Sequence, residues 1–158
     1  MYKNKQLPLR IGVGIILLNH KNKVFVAKRI DNPKNFWQMP QGGTNQNENF
    51  LQAAKRELQE ETSIKSVKLV KELNGWFTYY LPENLIGKVL EGKYRGQKQK
   101  WFIMKFIGED NEINIKTKNP EFLDWKWIES SNLPSIAVDF KVHLYEKLKE
   151  ELKFLKLN

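Results

Sequence analysis

From Asn49 to Glu61 the chain reads as a helix with chemically distinct sides. Leu51, Ala54 and Leu58 recur at helical spacing and make an apolar face. Asn49 can cap the helix, and Gln52 stands three residues on, as in a capping box. Glu57, Glu60 and Glu61 follow at i, i+3 and i+4. On a helix they share one side, roughly 90° round from the apolar stripe at about 100° per residue. Carboxylates crowded in this way repel one another, and a surface helix usually interleaves Lys at such positions. Hard divalent cations relieve the repulsion and make the cluster useful.

Upstream, Gly42-Gly43 ends a loop, and glycine lets backbone groups approach a metal or phosphate closely. Glu48 lies eight residues before Arg56 and can pair with it across the loop. Three Glu alone would be an ordinary acidic helix face. The joint spacing is more specific: Gly42, five residues, Glu48, seven residues, then Arg56-Glu57-Leu58-x-Glu60-Glu61-x-Ser63-Ile64. This resembles the Nudix box, in which every specified position is matched except Ser63, where the family has Gly. That glycine ends the helix, and serine there costs about 1 kcal/mol while touching no metal ligand.

The resemblance implies an α+β Nudix fold, a mixed β-sheet sandwiched between α-helices. It implies a phosphoanhydride hydrolase in which water attacks phosphorus while Glu57, Glu60 and Glu61 hold magnesium, or alternatively manganese. The carboxylate that acts as general base differs across the family and stays open here.

With 158 residues, the chain is expected to form one domain over residues 1–158. It has no Cys, and only His20 and His143, so Cys-based zinc and His-rich sites are excluded and any metal must be held by oxygen. The longest apolar run, Val13 to Leu18, is too short to span a bilayer, and no stretch has signal-peptide length. A cytoplasmic protein is therefore expected. The formal net charge of +9 suits polyanionic partners.

Ile11 to Leu18 and Lys23 to Arg29 read as a strand hairpin. Trp37 to Gly43 reads as irregular backbone, and Val67 to Leu73 and Trp76 to Leu81 as strands. Pro82 to Gln99 reads as a long connection, Trp101 to Ile107 and Asp124 to Ile128 as strands, and Val138 to Leu155 as a closing amphipathic helix.

Outside the box, Trp37-Gln-Met-Pro-Gln-Gly-Gly43, Gly96-Gln-Lys-Gln-Lys-Trp-Phe102, Asn119-Pro-Glu-Phe122 and Trp125-x-Trp127 resemble one Nudix subgroup. These are the bacterial RNA pyrophosphohydrolases, also described as dinucleoside polyphosphate hydrolases or invasion-associated Nudix proteins. Between Asn84 and Lys105 there are six basic residues against one acidic, Glu91, and such a stripe suits a polyphosphate or an RNA 5′ end. Gln97, Lys98 and Lys100 are its candidate substrate contacts. The resemblance further implies that Glu121 reaches the metal site. It also implies that Arg10, Arg29, Phe140 and Lys141 contact the triphosphate or clamp a base. Against these stand plainer readings: Phe140 in the core, Arg29 paired with Asp31. The Trp residues are expected mostly in the core.

The leading expectation is conversion of 5′-triphosphate RNA to 5′-monophosphate RNA with release of pyrophosphate, initiating decay. Cleavage of dinucleoside polyphosphates such as diadenosine tetraphosphate uses the same chemistry and is the alternative. A catalytically inactive nucleotide- or RNA-binding module is the rival from another class, and a house-cleaning enzyme for nucleoside triphosphates is a further one. No membrane partner and no DNA sequence recognition are expected, and a protein activator stays open.

Overall fold

The computed structural model describes residues 7–31 and 34–155. Seven strands form one sheet: β1 (Leu9–Leu18), β2 (Val24–Arg29), β3 (Gln41–Gly43), β4 (Val67–Glu72), β5 (Phe77–Tyr80), β6 (Gly96–Phe106) and β7 (Phe122–Ile128). Among the described residues three helices accompany them: α1 (Phe50–Thr62), α2 (Leu133–Ile136) and α3 (Val142–Lys153). The sheet runs β4-β6-β1-β2-β7, with β3 added to β1 and β5 to β6. β1 and β6 are parallel over ten residue pairs, from Leu9–Gly96 to Leu18–Lys105, and the other pairings are antiparallel. The sheet is therefore mixed.

Strand alternation sends successive side chains to opposite faces. Val13, Ile15, Leu17, Phe25 and Met104 pack with Ala53, Ala54 and Leu58 of α1. Ile16, Val24, Val26, Trp101 and Ile103 pack with Leu144, Tyr145 and Leu148 of α3. A helix covers each face, which is the sandwich expected from the sequence.

Three local expectations are corrected. The connection after β5 ends at Arg95, because β6 begins at Gly96 and takes up Gln97, Lys98, Gln99 and Lys100. Their polar alternation hides a strand whose partner, β1, lies some ninety residues earlier in the chain. Trp37 to Gly43 is not wholly irregular: Gln38 bridges to Ala27, and Gln41–Gly43 forms β3. The closing helix starts at Val142, since Asp139–Lys141 is a separate 3-10 turn entered from an extended Val138. Of the tryptophans, Trp37 and Trp101 are buried, Trp125 and Trp127 are half-buried, and Trp76 is exposed.

Candidate active site

Strand β3, the loop that follows it and helix α1 are tied together by one guanidinium. Arg56 Nε and Nη2 donate to Glu48 (3.0 and 2.7 Å), Nη2 also to the Gly43 carbonyl (2.9 Å), and Nη1 to Glu57 (2.9 Å) and Glu60 (3.3 Å). The pairing of Glu48 with Arg56 expected from spacing is realised, and Arg56 is held well above its ordinary pKa by the bond to Glu48. The capping box is also present: Asn49 accepts from the Gln52 amide, and the Gln52 side chain accepts from the Asn49 amide. At the other end Ser63 adopts the left-handed conformation (φ 67°), and its hydroxyl donates to the Asn114 carbonyl at 2.9 Å.

Gly42 is where the loop needs glycine. A Cβ there would lie 2.1 Å from the carboxyl carbon of Glu57, so the absent side chain leaves the seat that Glu57 occupies. Burial pushes the Glu57 pKa up, opposed by the bond from Arg56 and reinforced by Glu60 and Glu121. Glu60 points outward and is 59% exposed. Glu61 is buried (3% exposed), and its Oε2 has no hydrogen-bond partner. Burial drives its pKa well above the carboxylate range, and Glu121 and Glu57 push in the same direction. Glu121 thus stands close enough to Glu61 and Glu57 for their charges to oppose.

Among the described residues no three acidic or His side chains form a ready-made metal cage, and Arg56 accounts for part of this by holding Glu57 and Glu60. The donor set nevertheless fits a hard divalent cation. It is all oxygen, it carries mutual repulsion, and the orphaned Glu61 oxygen lacks the partner that a metal supplies.

Cations face these carboxylates. Arg29 forms a two-pronged pair with Asp31 (2.7 and 2.8 Å), as its plainer reading anticipated, and its charge also registers at Glu61 and Glu121. The Arg10 guanidinium covers Gly43, where a Cβ would meet Nη2 at 2.5 Å. Lys141 is buried, with its ammonium 5.0 Å from the Tyr79 ring. Burial, then repulsion by Arg29, lowers its pKa to about 7, against the pull of Glu61 and Asp31. Phe140 packs on Tyr79 with ring centroids 5.8 Å apart. Arg29 and Lys141 also line a small cavity with Phe36, Trp37, Gln38 and Val138.

Strand alternation splits the basic segment. Gln97 and Gln99 are buried on the Tyr79 side, where Gln97 Nε2 donates to Tyr79 Oη (2.7 Å), Gln99 Nε2 to Gln41 (3.1 Å), and Trp101 Nε1 to Gln99 (3.0 Å). Lys98 and Lys100 point to the α1 side instead, each 4.7 Å from the exposed Trp76 ring. Gln97 therefore does not share a surface with the two lysines. The sequence reading missed Tyr79 and Asp31. Asp31 was visible only as a partner for Arg29, and Tyr79 only as an inward position of a short strand.

The NUDIX domain model matches residues 8–148. The chain is 63% identical to the RNA pyrophosphohydrolase of Pelagibacter ubique, over 97% of this chain and 98% of that one. It is 47% identical to the RNA pyrophosphohydrolase of Bartonella clarridgeiae, over 94% and 92%. Among solved structures it is similar to the E. coli dihydroneopterin triphosphate pyrophosphohydrolase (TM-score 0.70, 20% identity, 92% of this chain and 99% of that one). It is also similar to a C. elegans Ap4A hydrolase (TM-score 0.63, 19% identity, 91% and 99%). At those identities the solved structures speak for the fold. With its box folded as loop, helix and left-handed stop against a mixed sheet, and matched along most of its length, the chain belongs to the NUDIX domain family.

Proposed function

We propose that this chain hydrolyses the 5′-triphosphate end of RNA, releasing pyrophosphate and leaving a 5′-monophosphate. The observation that carries the reading is the meeting of a buried, unpartnered carboxyl group, Glu61, with the carboxylates Glu57 and Glu121 and with the cations Arg29 and Lys141. Anionic oxygens suit a divalent cation, and adjacent cationic groups suit a polyphosphate. The RNA pyrophosphohydrolases of Pelagibacter and Bartonella, similar over nearly their whole length, support RNA as the substrate.

Glu57, Glu60, Glu61 and Glu121 are the residues that would hold the metal, for which magnesium is the proposed ion. When bound, it supplies charge neutralisation on the phosphoryl oxygens and lowers the pKa of the attacking water. Arg56 keeps Glu57 and Glu60 oriented, and Gly42 lets Glu57 lie against the loop. Arg29 and Arg10 would bind the phosphates, and the packing of Phe140 on Tyr79 supports an aromatic wall for a base. Water adds at phosphorus, its proton passes to a carboxylate of the cluster, and the phosphoanhydride bond breaks with pyrophosphate leaving. The orphaned Glu61 oxygen argues against a module that only binds nucleotides, because such a module gains nothing from a buried carboxyl group without a partner. The cytoplasm is the location proposed for this activity, because its RNA substrate is there.

The test is turnover with magnesium on a 5′-triphosphate RNA and on diadenosine tetraphosphate in parallel. Faster conversion of RNA is expected. A marked preference for the dinucleotide would replace the RNA reading with nucleotide scavenging.

A further inference from the structure

Trp37 closes one side of the small cavity that Arg29 and Lys141 also line. Its ring carries two further cations: Lys126 Nζ lies 4.2 Å from the centroid and Lys28 Nζ 5.7 Å. Lys28 ends the inward-facing series Val24, Val26, Lys28 of β2, and Lys126 pairs with Val26 across β7. Both ammonium groups therefore belong to the sheet face that bears the cavity. Neither forms an ion pair among the described residues. The acid nearest in register, Asp124 opposite Lys28, accepts a bond from the Trp125 amide instead.

We propose that Lys28 and Lys126, laid on the Trp37 indole, are a phosphate-contact track for the RNA chain beyond its 5′-terminal nucleotides. The proposal rests on the RNA reading of the site. Its basis is continuity and charge. Positive groups run from Arg29 beside the carboxylates, through Lys28, to Lys126, with Trp37 under both lysines and beside Arg29 at the cavity. Along the strand pair, Lys126 is two residues further out than Lys28, about 7 Å. A polymer leaving the cavity in that direction meets both lysines, whereas a small dinucleotide confined to the carboxylates and Arg29 need not. The ring holds both ammonium groups on its face and neither has an acidic partner among the described residues, so phosphate binding breaks no ion pair.

The variant K28Q/K126Q removes both charges and keeps an extended polar side chain at each position. The reference variant K65Q/K68Q removes the same charge in β4 and just before it, at the opposite edge of the sheet. For K28Q/K126Q the ratio of kcat/KM on a 5′-triphosphate oligoribonucleotide to that on diadenosine tetraphosphate is expected to fall roughly tenfold, with the reference variant close to wild type. Binding of a fluorescent 5′-monophosphate RNA in chelator is read separately against salt. There the slope of log affinity against log salt is expected to shrink by about 0.7 per lost contact, and K28R/K126R should restore it. Equal loss on both substrates, an unchanged salt slope, or the same loss in K65Q/K68Q would overturn the track. If the wild type fails to convert the RNA yet the binding slope still falls on substitution, the track stands and the proposed activity is what fails.

Discussion

At Glu61 the demands of folding and of the proposed chemistry oppose one another. Its carboxylate is buried beside Glu121 with one oxygen unpartnered, an arrangement that burdens the metal-free fold. Replacement by Gln leaves a group that burial cannot force to take up a proton, and lets its amide donate towards Glu121. Glu61→Gln is therefore expected to raise metal-free stability by about 1–3 kcal/mol, or roughly 2–4 °C of melting temperature per kcal/mol, while lowering kcat by orders of magnitude. A thermal melt in chelator beside a turnover assay checks both, and a destabilised, active variant would contradict the assignment. Lys141 gives the opposite kind of signature. Its folded pKa of about 7 lies below that of an unfolded lysine. Between those values the unfolded chain holds a proton that the fold has shed, so stability rises with pH across that window and is lost as pH falls back through it. Urea midpoints at about pH 7 and about pH 9.5 should diverge more for the wild type than for Lys141→Met. Parallel midpoints would mean that the ammonium is not desolvated.

At the scale of the element, α1 depends on its two ends. Ser63 occupies the left-handed stop where glycine has no steric penalty, yet its hydroxyl bonds the Asn114 carbonyl. Each effect is worth about 1 kcal/mol, so Ser63→Gly should change stability little. Ser63→Ala loses the bond and keeps the strain, and should cost about 1 kcal/mol, read as a shift in denaturant midpoint at unchanged slope. This explains how the chain tolerates its single departure from the box. At the other side of the site, Gly42→Ala would push a methyl into the Glu57 carboxyl. Glu57 has a flexible chain and can swing away, so the expected result is a folded protein with turnover reduced by at least the loss of one metal ligand. Normal turnover in Gly42→Ala would show that Glu57 does not act from that seat.

For the whole molecule, two apolar clusters on opposite faces of the sheet carry the fold, and the carboxylates sit at the margin between loop and helix. Removing the metal should therefore abolish turnover and leave circular dichroism unchanged. Conversely, magnesium at a hundredfold excess over its Kd should stabilise the wild type by about 2.7 kcal/mol, and Glu61→Gln should lose most of that gain. A protein that unfolds in chelator would make the metal structural. No helix among the described residues is long and apolar enough to cross a membrane.

The box, the cap at Asn49, the Glu48–Arg56 pair and the apolar stripe of α1 were legible in the sequence because each depends on partners within about two turns of helix or one short loop. The sandwich was legible through the resemblance that the box carries. What tertiary structure decided is wherever partners are distant in the chain. The parallel ladder from β1 turns Gly96–Lys100 from loop into strand, and alternation then parts Gln97 from Lys98 and Lys100. The convergence of Glu61 with Glu121, and the burial of Lys141 over Tyr79, follow from β7 and the 3-10 turn before α3 being packed against elements far earlier in sequence. Spacing along the chain records which groups can share a helix turn; only closure of the sheet fixes which face a strand residue takes and whether water reaches it.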